Sequence, residues 1–467
     1  MTTAPTSTAR AAFARAREVL AGFRAQPGDR PAVDAAGAPS RTPPPPASAP
    51  APPDPRTARE RVEQALEAAG RADALGAIVA VDPDAALAEA DARDRTPPPA
   101  RGPLHGMPVT VKDVIDVAGL PTRAGSAAYL AHPDRDAEAV ARIRTAGAVV
   151  LGKVATHEFA LGVTTPQARN PHDPTRIPGG SSGGSGIAVA TGFGDASLGT
   201  DTRASIRVPS ALCGVVGIKP TYGAVPTAGL VSLAWTLDHV GPLACTVRDA
   251  ARVLEALAPG FAGLPGWADA PTAGARVGVP EAAFAGCEPA VAEAVEAAID
   301  ALADAGVDVV PASRPDTLDL ERAGAGGLLV SRAEAAANHR ALGIDRTLLW
   351  EETADQLDEA DALSAADYLD AQRMRAALAA GFADELEGLW ALAMPTTPCV
   401  APPVEDAERH LTVLSRTAIP WSFTGLPAIS VPCGTSPQGL PIGLQLVAGR
   451  GREHHLVALA ALVERIL

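Results

Sequence analysis

The sequence predicts an α/β fold, and two observations carry that expectation. From Thr57 onward, helical and strand-like stretches alternate along the chain, the pattern of helices layered on a sheet. Hydrophobic residues make up 47 % of the 467 but aromatics only 3 %, so Ala, Val and Leu must fill a core that a chain this long can bury. Length alone suggests about three domains, yet no internal repeat divides the chain.

Taken in order, residues 8–25 read as a short amphipathic helix. Residues 26–57 then carry eleven prolines, including Pro43 to Pro46. Proline removes amide donors and stiffens the chain toward polyproline II, so this stretch is expected to be a linker. Residues 1–56 should then be separable from a domain over 57–467, and removal of residues 1–55 should leave activity largely intact. Thr57 can cap a helix over 58–70. Ala77–Val81 reads as a buried strand, Pro108–Lys112 as another, Asp136–Ala146 as a helix, and Ala148–Val154 as a strand ending in polar residues. Val189 lies in an alanine-rich segment opening from glycines and serines, which suits a helix with a bare N-terminus. Later strands are expected at Val277–Val279, Val307–Val310, Ala428–Val431 and Gly443–Val447, with helices near 288–305, 364–386 and 453–467.

Charge and composition exclude several partners. A formal charge of −15, from 54 acids against 39 bases, disfavours nucleic-acid backbones and anionic membranes, and the few aromatics offer little surface for stacking bases. Five scattered cysteines without CxxC spacing suggest neither a disulfide framework nor a zinc site, as suits a reducing cytoplasm. No run of 18 apolar residues and no secretory leader is read. His157-Glu158 lacks the second histidine of HExxH, and His454-His455 point about 100° apart on a helix, so surface or capping roles are expected of them.

Of the 39 basic residues only Lys112, Lys153 and Lys219 are lysine. Elsewhere arginine supplies solvated positive charge, so these three mark places where permanent protonation or a forked guanidinium fails. Residues 179–186 are GGSSGGSG, a run whose entropy cost needs a reason: unusual dihedrals, close approach to a ligand, or flexibility. A phosphate loop is disfavoured, because no lysine follows the glycines and GxGxxG is not matched. Gly180 to Gly184 satisfies GxSxG around Ser182. A nucleophile elbow, however, needs a preceding strand where Arg176 to Gly179 is turn chemistry, and it needs a histidine base. A lysine held neutral by burial, acting directly or through a second hydroxyl, is another way to activate serine. Lys112 ends the apolar strand PVTVK, and Ser181 and Ser205 lie on two later loops. Neutralising a lysine of reference pKa about 10.4 at pH 7 takes about 3 units, or roughly 4 kcal/mol, which burial can supply. Spacing alone does not show that these groups meet.

Motifs stand in one order from Gly102 to Gln445: GPLHGMPVTVKD ending at Asp113, Gly152-Lys153, His157-Glu158-Phe159, Pro178 to Gly186, and Gly199 to Thr202. Ser205 to Pro209, Cys213 to Gly223, Leu237 to Pro242, Met394 to Pro398, Gly425-Leu-Pro and Gly439 to Gln445 complete them. In this series the chain resembles the amidase signature family. The resemblance implies a single α/β domain with a mixed β-sheet core surrounded by helices. It implies an amidase acting on a small-molecule carboxamide, ureido or related C–N bond, with no cofactor and no metal; whether it forms a homo-oligomer is left open. The implied triad is Ser205 as nucleophile, Ser181 on a cis peptide as bridge, and Lys112 as base. Backbone amides of Thr202, Arg203 and Ala204, next to Ser205, would form the oxyanion hole. Lys153, Lys219, Glu158, Asp201 and Arg207 are expected to be structural, through buried ion pairs and hydrogen bonds, and Cys213 to fill the core. No substrate-binding residue follows from the motifs.

One departure stands at the heart of that pattern. Where the family usually has Gly-Gly ahead of the nucleophile, this sequence has Arg203-Ala204. Three outcomes are open: a compatible backbone with a working oxyanion hole, an Arg203 that reaches into the pocket and favours an acidic substrate, or an impaired scaffold. The alternative activity within the family is the A subunit of a tRNA-dependent amidotransferase, which releases ammonia from glutamine inside a complex. Val208 in SIRVP, where that subunit resembles SIRQP, and the proline-rich extension count against it.

Overall fold

The computed structural model describes residues 8–24, 55–312, 319–410 and 413–467. Most of the stretch expected to be a linker therefore lies outside the described residues. In chain order the strands are β1 (Ile78–Val81), β2 (Pro108–Lys112), β3 (Val149–Val154), β4 (Ala196–Asp201), β5 (Val216–Lys219) and β6 (His239–Ala244). They continue as β7 (Arg276–Val279), β8 (Asp308–Pro311), β9 (Ala391–Pro395), β10 (Ala428–Thr435) and β11 (Pro441–Val447). All hydrogen-bond into one sheet, in the order β1-β3-β2-β4-β6-β5-β10-β11-β9-β7-β8. β2 runs parallel to β3 and β4, and β7 parallel to β8 and β9, while pairs such as β4 with β6 and β10 with β11 are antiparallel. The sheet is thus mixed and helix-covered, as the sequence and its resemblance imply.

Burial follows position in that order. β2, β3 and β4 are buried at every residue. β1, expected to be buried, is only half so, because it closes one edge of the sheet and has a neighbour on one side alone. Strands β4, β5 and β6 escaped prediction because ASLGTD, VGIK and HVGPLA carry glycine or proline, which read as turn residues. In the structure Gly199 faces Gly241 across β4 and β6. A Cβ on Gly241 would come within 2.2 Å of the Ile218 carbonyl oxygen, so the glycine admits close backbone approach.

The first described helix, Thr8–Arg24, buries Phe13, Ala16, Leu20 and Phe23 at helical spacing. These join the main hydrophobic core, against the 23-residue helix Leu320–Leu342. Arg24 holds Asp370 at 2.6 Å and Asp367 at 2.9 Å. Deleting residues 1–55 would therefore strip aromatic side chains from the core, so the first helix of the extension packs into the domain from which it was expected to be separable. Thr57 caps the helix Ala58–Glu67 in a capping box with Glu60. The helices Pro289–Asp304, Ala365–Glu385 and Glu453–Ile466 lie where the periodicity predicts. No helix among the described residues is long and apolar enough to cross a membrane.

Candidate active site

The serine-glycine segment ends in the helix Gly183–Thr191, with Ser182 at its cap position. Contrary to the expectation, its N-terminus is not bare: the Gly183 amide donates to Thr165 Oγ1 at 3.1 Å and the Gly184 amide to the Ala155 carbonyl at 3.1 Å. The glycines are there for contact. A Cβ would lie 1.9 Å from the Thr164 oxygen at Gly180, 2.4 Å from Thr165 Oγ1 at Gly183, and 2.3 Å from the Ala155 nitrogen at Gly184. Of the three reasons the run admitted, two are found: an unusual backbone, with Gly179 at a φ of 79°, and close approach, by the protein's own backbone and side chains.

That packing presses Ser181 against the end of β2. The Gly180–Ser181 peptide is cis. Lys112, the last residue of β2, is wholly buried, and its Nζ donates to Ser181 Oγ at 2.7 Å and to Thr200 Oγ1 at 2.7 Å. Burial pushes the Lys112 amine down to about 7, against the pull of the Asp201 and Asp238 charges, which favour its protonated form. Once neutral, its lone pair accepts the Ser181 O–H while an N–H still donates to Thr200.

Ser205 stands beside this pair, joined through its backbone. Its carbonyl accepts from the Ser182 amide at 3.3 Å, and the residue is 5 % exposed. Among the described residues no hydrogen bond joins its hydroxyl to that of Ser181, so the structure brings two of the three proposed side chains into contact and holds the third alongside. The amides of Arg203, Ala204 and Ser205 have no acceptor among the described residues. Positive φ among the described non-glycine residues is confined to Ala124, Phe159 and Ala160, so Arg203 and Ala204 meet no left-handed backbone that would demand glycine. Ala204 is fully buried in an apolar cluster with Val163, Ile177 and Val208.

The turn carrying Ser205 is clamped by ions and hydroxyls. Arg207 grips Asp201 through Nε at 3.0 Å and Nη2 at 3.1 Å, and reaches Gln445 Oε1 at 2.7 Å and Ser422 Oγ at 2.6 Å. Ser422 closes the ring on Asp201 Oδ1 at 2.7 Å. Burial acts to raise the Asp201 carboxyl, but the charge and hydrogen bonds of Arg207 outweigh it and hold the group well below the carboxylate range. Asp238 accepts from Thr202 Oγ1 at 2.6 Å and Ser232 Oγ at 2.7 Å, and burial pushes it up to about 6.

The residues expected to be structural divide by chemistry. Lys153 pairs with Asp113 at 3.0 Å, both wholly buried. Lys219 meets no carboxylate among the described residues: it donates to the Pro220 carbonyl at 3.1 Å and meets His239 Nε2 at 3.2 Å. His239 Nδ1 faces the Asp201 carbonyl at 2.9 Å, so that nitrogen carries the proton and Nε2 accepts from Lys219. Glu158 is satisfied by the Ser126 hydroxyl at 2.6 Å and the Trp350 amide at 2.9 Å. Cys213 is core filling, donating to the Pro178 carbonyl.

Ser182, the centre of the GxSxG match, commits its hydroxyl to the backbone of Thr200, at 3.1 Å to the carbonyl and 3.3 Å from the amide. It is a brace between loop and strand. His454 and His455 correct the expectation of surface roles: His454 is buried against Trp267, and His455 stacks on Trp390 at 4.3 Å and 6°. His157 is buried too, 3.6 Å from Glu352 and edge-on to Trp350. Sequence reasoning missed Thr200 and Asp238. Thr200 required knowing that β4 lies beside β2, and the glycine in β4 hid that strand.

A family model described as amidase matches residues 60–457. The chain is 38 % identical over 436 residues to the A subunit of a glutamyl-tRNA(Gln) amidotransferase from Roseiflexus sp. (strain RS-1), covering 84 % of this chain and 89 % of that protein. It is 39 % identical over 377 residues to an amidase of Pseudomonas putida, covering 75 % and 79 %. A solved amidase crystal structure superposes with a TM-score of 0.79 at 35 % identity, covering 88 % of this chain and 96 % of that one.

Proposed function

The chain belongs to the amidase family, and from that premise we propose that it hydrolyses carboxamides or related C–N bonds through a serine acyl-enzyme. Ser205 attacks the carbonyl carbon, passing its proton to Ser181 as Ser181 gives its own to the neutral amine of Lys112. The same relay returns a proton to the departing nitrogen, and water then cleaves the acyl-enzyme. The observation that carries this reading is the 2.7 Å contact between Lys112 Nζ and Ser181 Oγ in a fully buried site. An amine pushed down to about 7 is poised to accept a proton near neutral pH. Ser205 joins by turning its hydroxyl about χ1 toward Ser181 as a carbonyl docks, since such hydrogen bonds commonly tighten only with substrate bound. The uncommitted amides of Arg203, Ala204 and Ser205, with that of Thr202, support an oxyanion hole, where one lost donor commonly costs about 10²–10³ in rate. A fluorophosphonate probe is expected to label Ser205; a label that persists in Ser205→Ala overturns the assignment.

A second reading has an observation of its own, the glutamyl-tRNA(Gln) amidotransferase relative that matches 84 % of the chain. The comparisons do not rank the two, since an amidase of similar identity stands beside it. In that case the same triad would release ammonia from glutamine within a complex. Co-purification with partner subunits, and glutamine hydrolysis that appears only in the complex, would favour it over the free amidase.

A further inference from the structure

Resting on the acyl-enzyme reading above, we propose that Arg203 is the recognition point for a carboxylate on the substrate. The preferred substrates are then amides that carry an acid group, such as the monoamide of a short dicarboxylic acid. Arg203 is two residues from the nucleophile, so their Cα atoms lie within about 7 Å, and its side chain can reach a group held a few bonds from the reacting carbonyl.

Among the described residues the guanidinium has no acidic counterpart. Its Nε is sealed from solvent without a hydrogen-bond partner, and no ion pair engages the side chain among the described residues. The residue as a whole keeps intermediate exposure, so the side chain is not wholly packed into the core. Burial lowers Arg203 to about 10, with no acid counteracting it, and at neutral pH it stays charged. A second guanidinium adds to the field. Arg332, buried on the helix Leu320–Leu342, is held by neutral oxygens, Gln356 Oε1 at 2.7 Å, the Leu161 carbonyl at 2.6 Å and Ser331 Oγ at 3.3 Å. Burial pushes it well down, the Arg203 charge pushes it further, and Glu352 pulls the other way without touching it.

Arg207, two residues past Ser205, shows what a balanced arginine looks like here: two hydrogen bonds to Asp201. Arg203 and Arg332 bring two like charges together with no carboxylate in contact, which carries a desolvation cost. An anion arriving with the substrate would offset it, and a planar carboxylate suits the guanidinium fork. The backbone at 203 does not call for glycine, so what this residue adds to the site is its side chain.

The test uses the full chain and two amides of similar size, succinamate and neutral butyramide. The ratio of kcat/KM for succinamate over butyramide is expected to exceed about ten, to fall by about 10–100-fold in Arg203→Met, and to be partly kept in Arg203→Lys. A wild-type ratio near one, or a ratio unchanged in Arg203→Met, overturns the proposal. Calorimetric titration of succinate into Ser205→Ala, with and without Arg203→Met, separates this from the acyl-enzyme reading. Binding that depends on Arg203 upholds the anion site even if neither amide is hydrolysed, whereas binding indifferent to Arg203 sinks it.

Discussion

Lys112 and Lys153 lie on adjacent parallel strands, β2 and β3, with Val111 paired to Lys153 and Lys112 to Val154. Both are wholly buried, yet their surroundings are opposite. Lys153 meets the Asp113 carboxylate at 3.0 Å, while Lys112 meets two hydroxyls at 2.7 Å. The Asp113 carboxylate favours the Lys153 ammonium, although burial on balance still lowers that amine and raises that carboxyl. Hydroxyls donate and accept with either protonation state, and burial depresses the Lys112 amine to about 7, the value the proposed base requires. Burial makes a lysine costly to keep charged, and the facing group decides how far that cost is offset.

The sharpest way to break the contrast is Lys112→Met. Turnover of any amide substrate is expected to drop at least about 10³-fold, while denaturant unfolding shows stability unchanged or raised, because an apolar group of similar length replaces a desolvated amine. Retained turnover would remove Lys112 from the chemistry. Lys153→Met should do the reverse, stranding the Asp113 carboxylate and costing about 3–5 kcal/mol in unfolding free energy, with Lys153→Met/Asp113→Leu recovering part of it. A stable Lys153→Met protein would show that the pair is not what holds these strands.

The pH dependence sharpens the comparison further. With chemistry limiting, kcat/KM should climb as pH rises toward about 7 and then level off, as the Lys112 amine loses its proton; a flat profile counts against a lysine base. The linkage sign runs the same way. The folded value lies below the unfolded reference of about 10.4, so the unfolded chain binds more protons between the two. The Lys112 contribution to stability therefore rises with pH from about 7 to about 10.4, by about 1.4 kcal/mol per unit, and is constant outside that window. Subtracting the profile of Lys112→Met isolates it. The smallest effect belongs to Thr200→Val. Losing one acceptor disfavours the ammonium, so the midpoint of the rate profile should move below about 7 with a several-fold loss of rate; an unmoved midpoint means Thr200 does not position the amine.

Legibility in the sequence tracked how local each cause was. PVTVK could be read as a strand with a lysine at its end because the apolar run and the charge are adjacent. Thr57 announced its helix through a capping box that spans only Thr57 to Glu60. Thr200 stayed hidden because its strand carries Gly199, whose reason is close contact, including Leu243 Cδ1 at 2.7 Å from a would-be Cβ. The two C-terminal histidines were misjudged as surface residues because Trp267 and Trp390, which cover them, come from distant segments.

The α/β class and the ordered series of motifs were written in the sequence, as were three lysines in a chain that otherwise uses arginine. These follow from short-range periodicity and from residue types whose intrinsic properties need no neighbour. It took packing to show that the Lys112 amine meets Ser181 and Thr200 rather than a carboxylate, and that Arg203, with no ion pair among the described residues, stands near a second arginine. Charge state and reactivity depend on what covers a group and what faces it. Those neighbours come from strands, loops and helices far apart in the chain, brought together by packing.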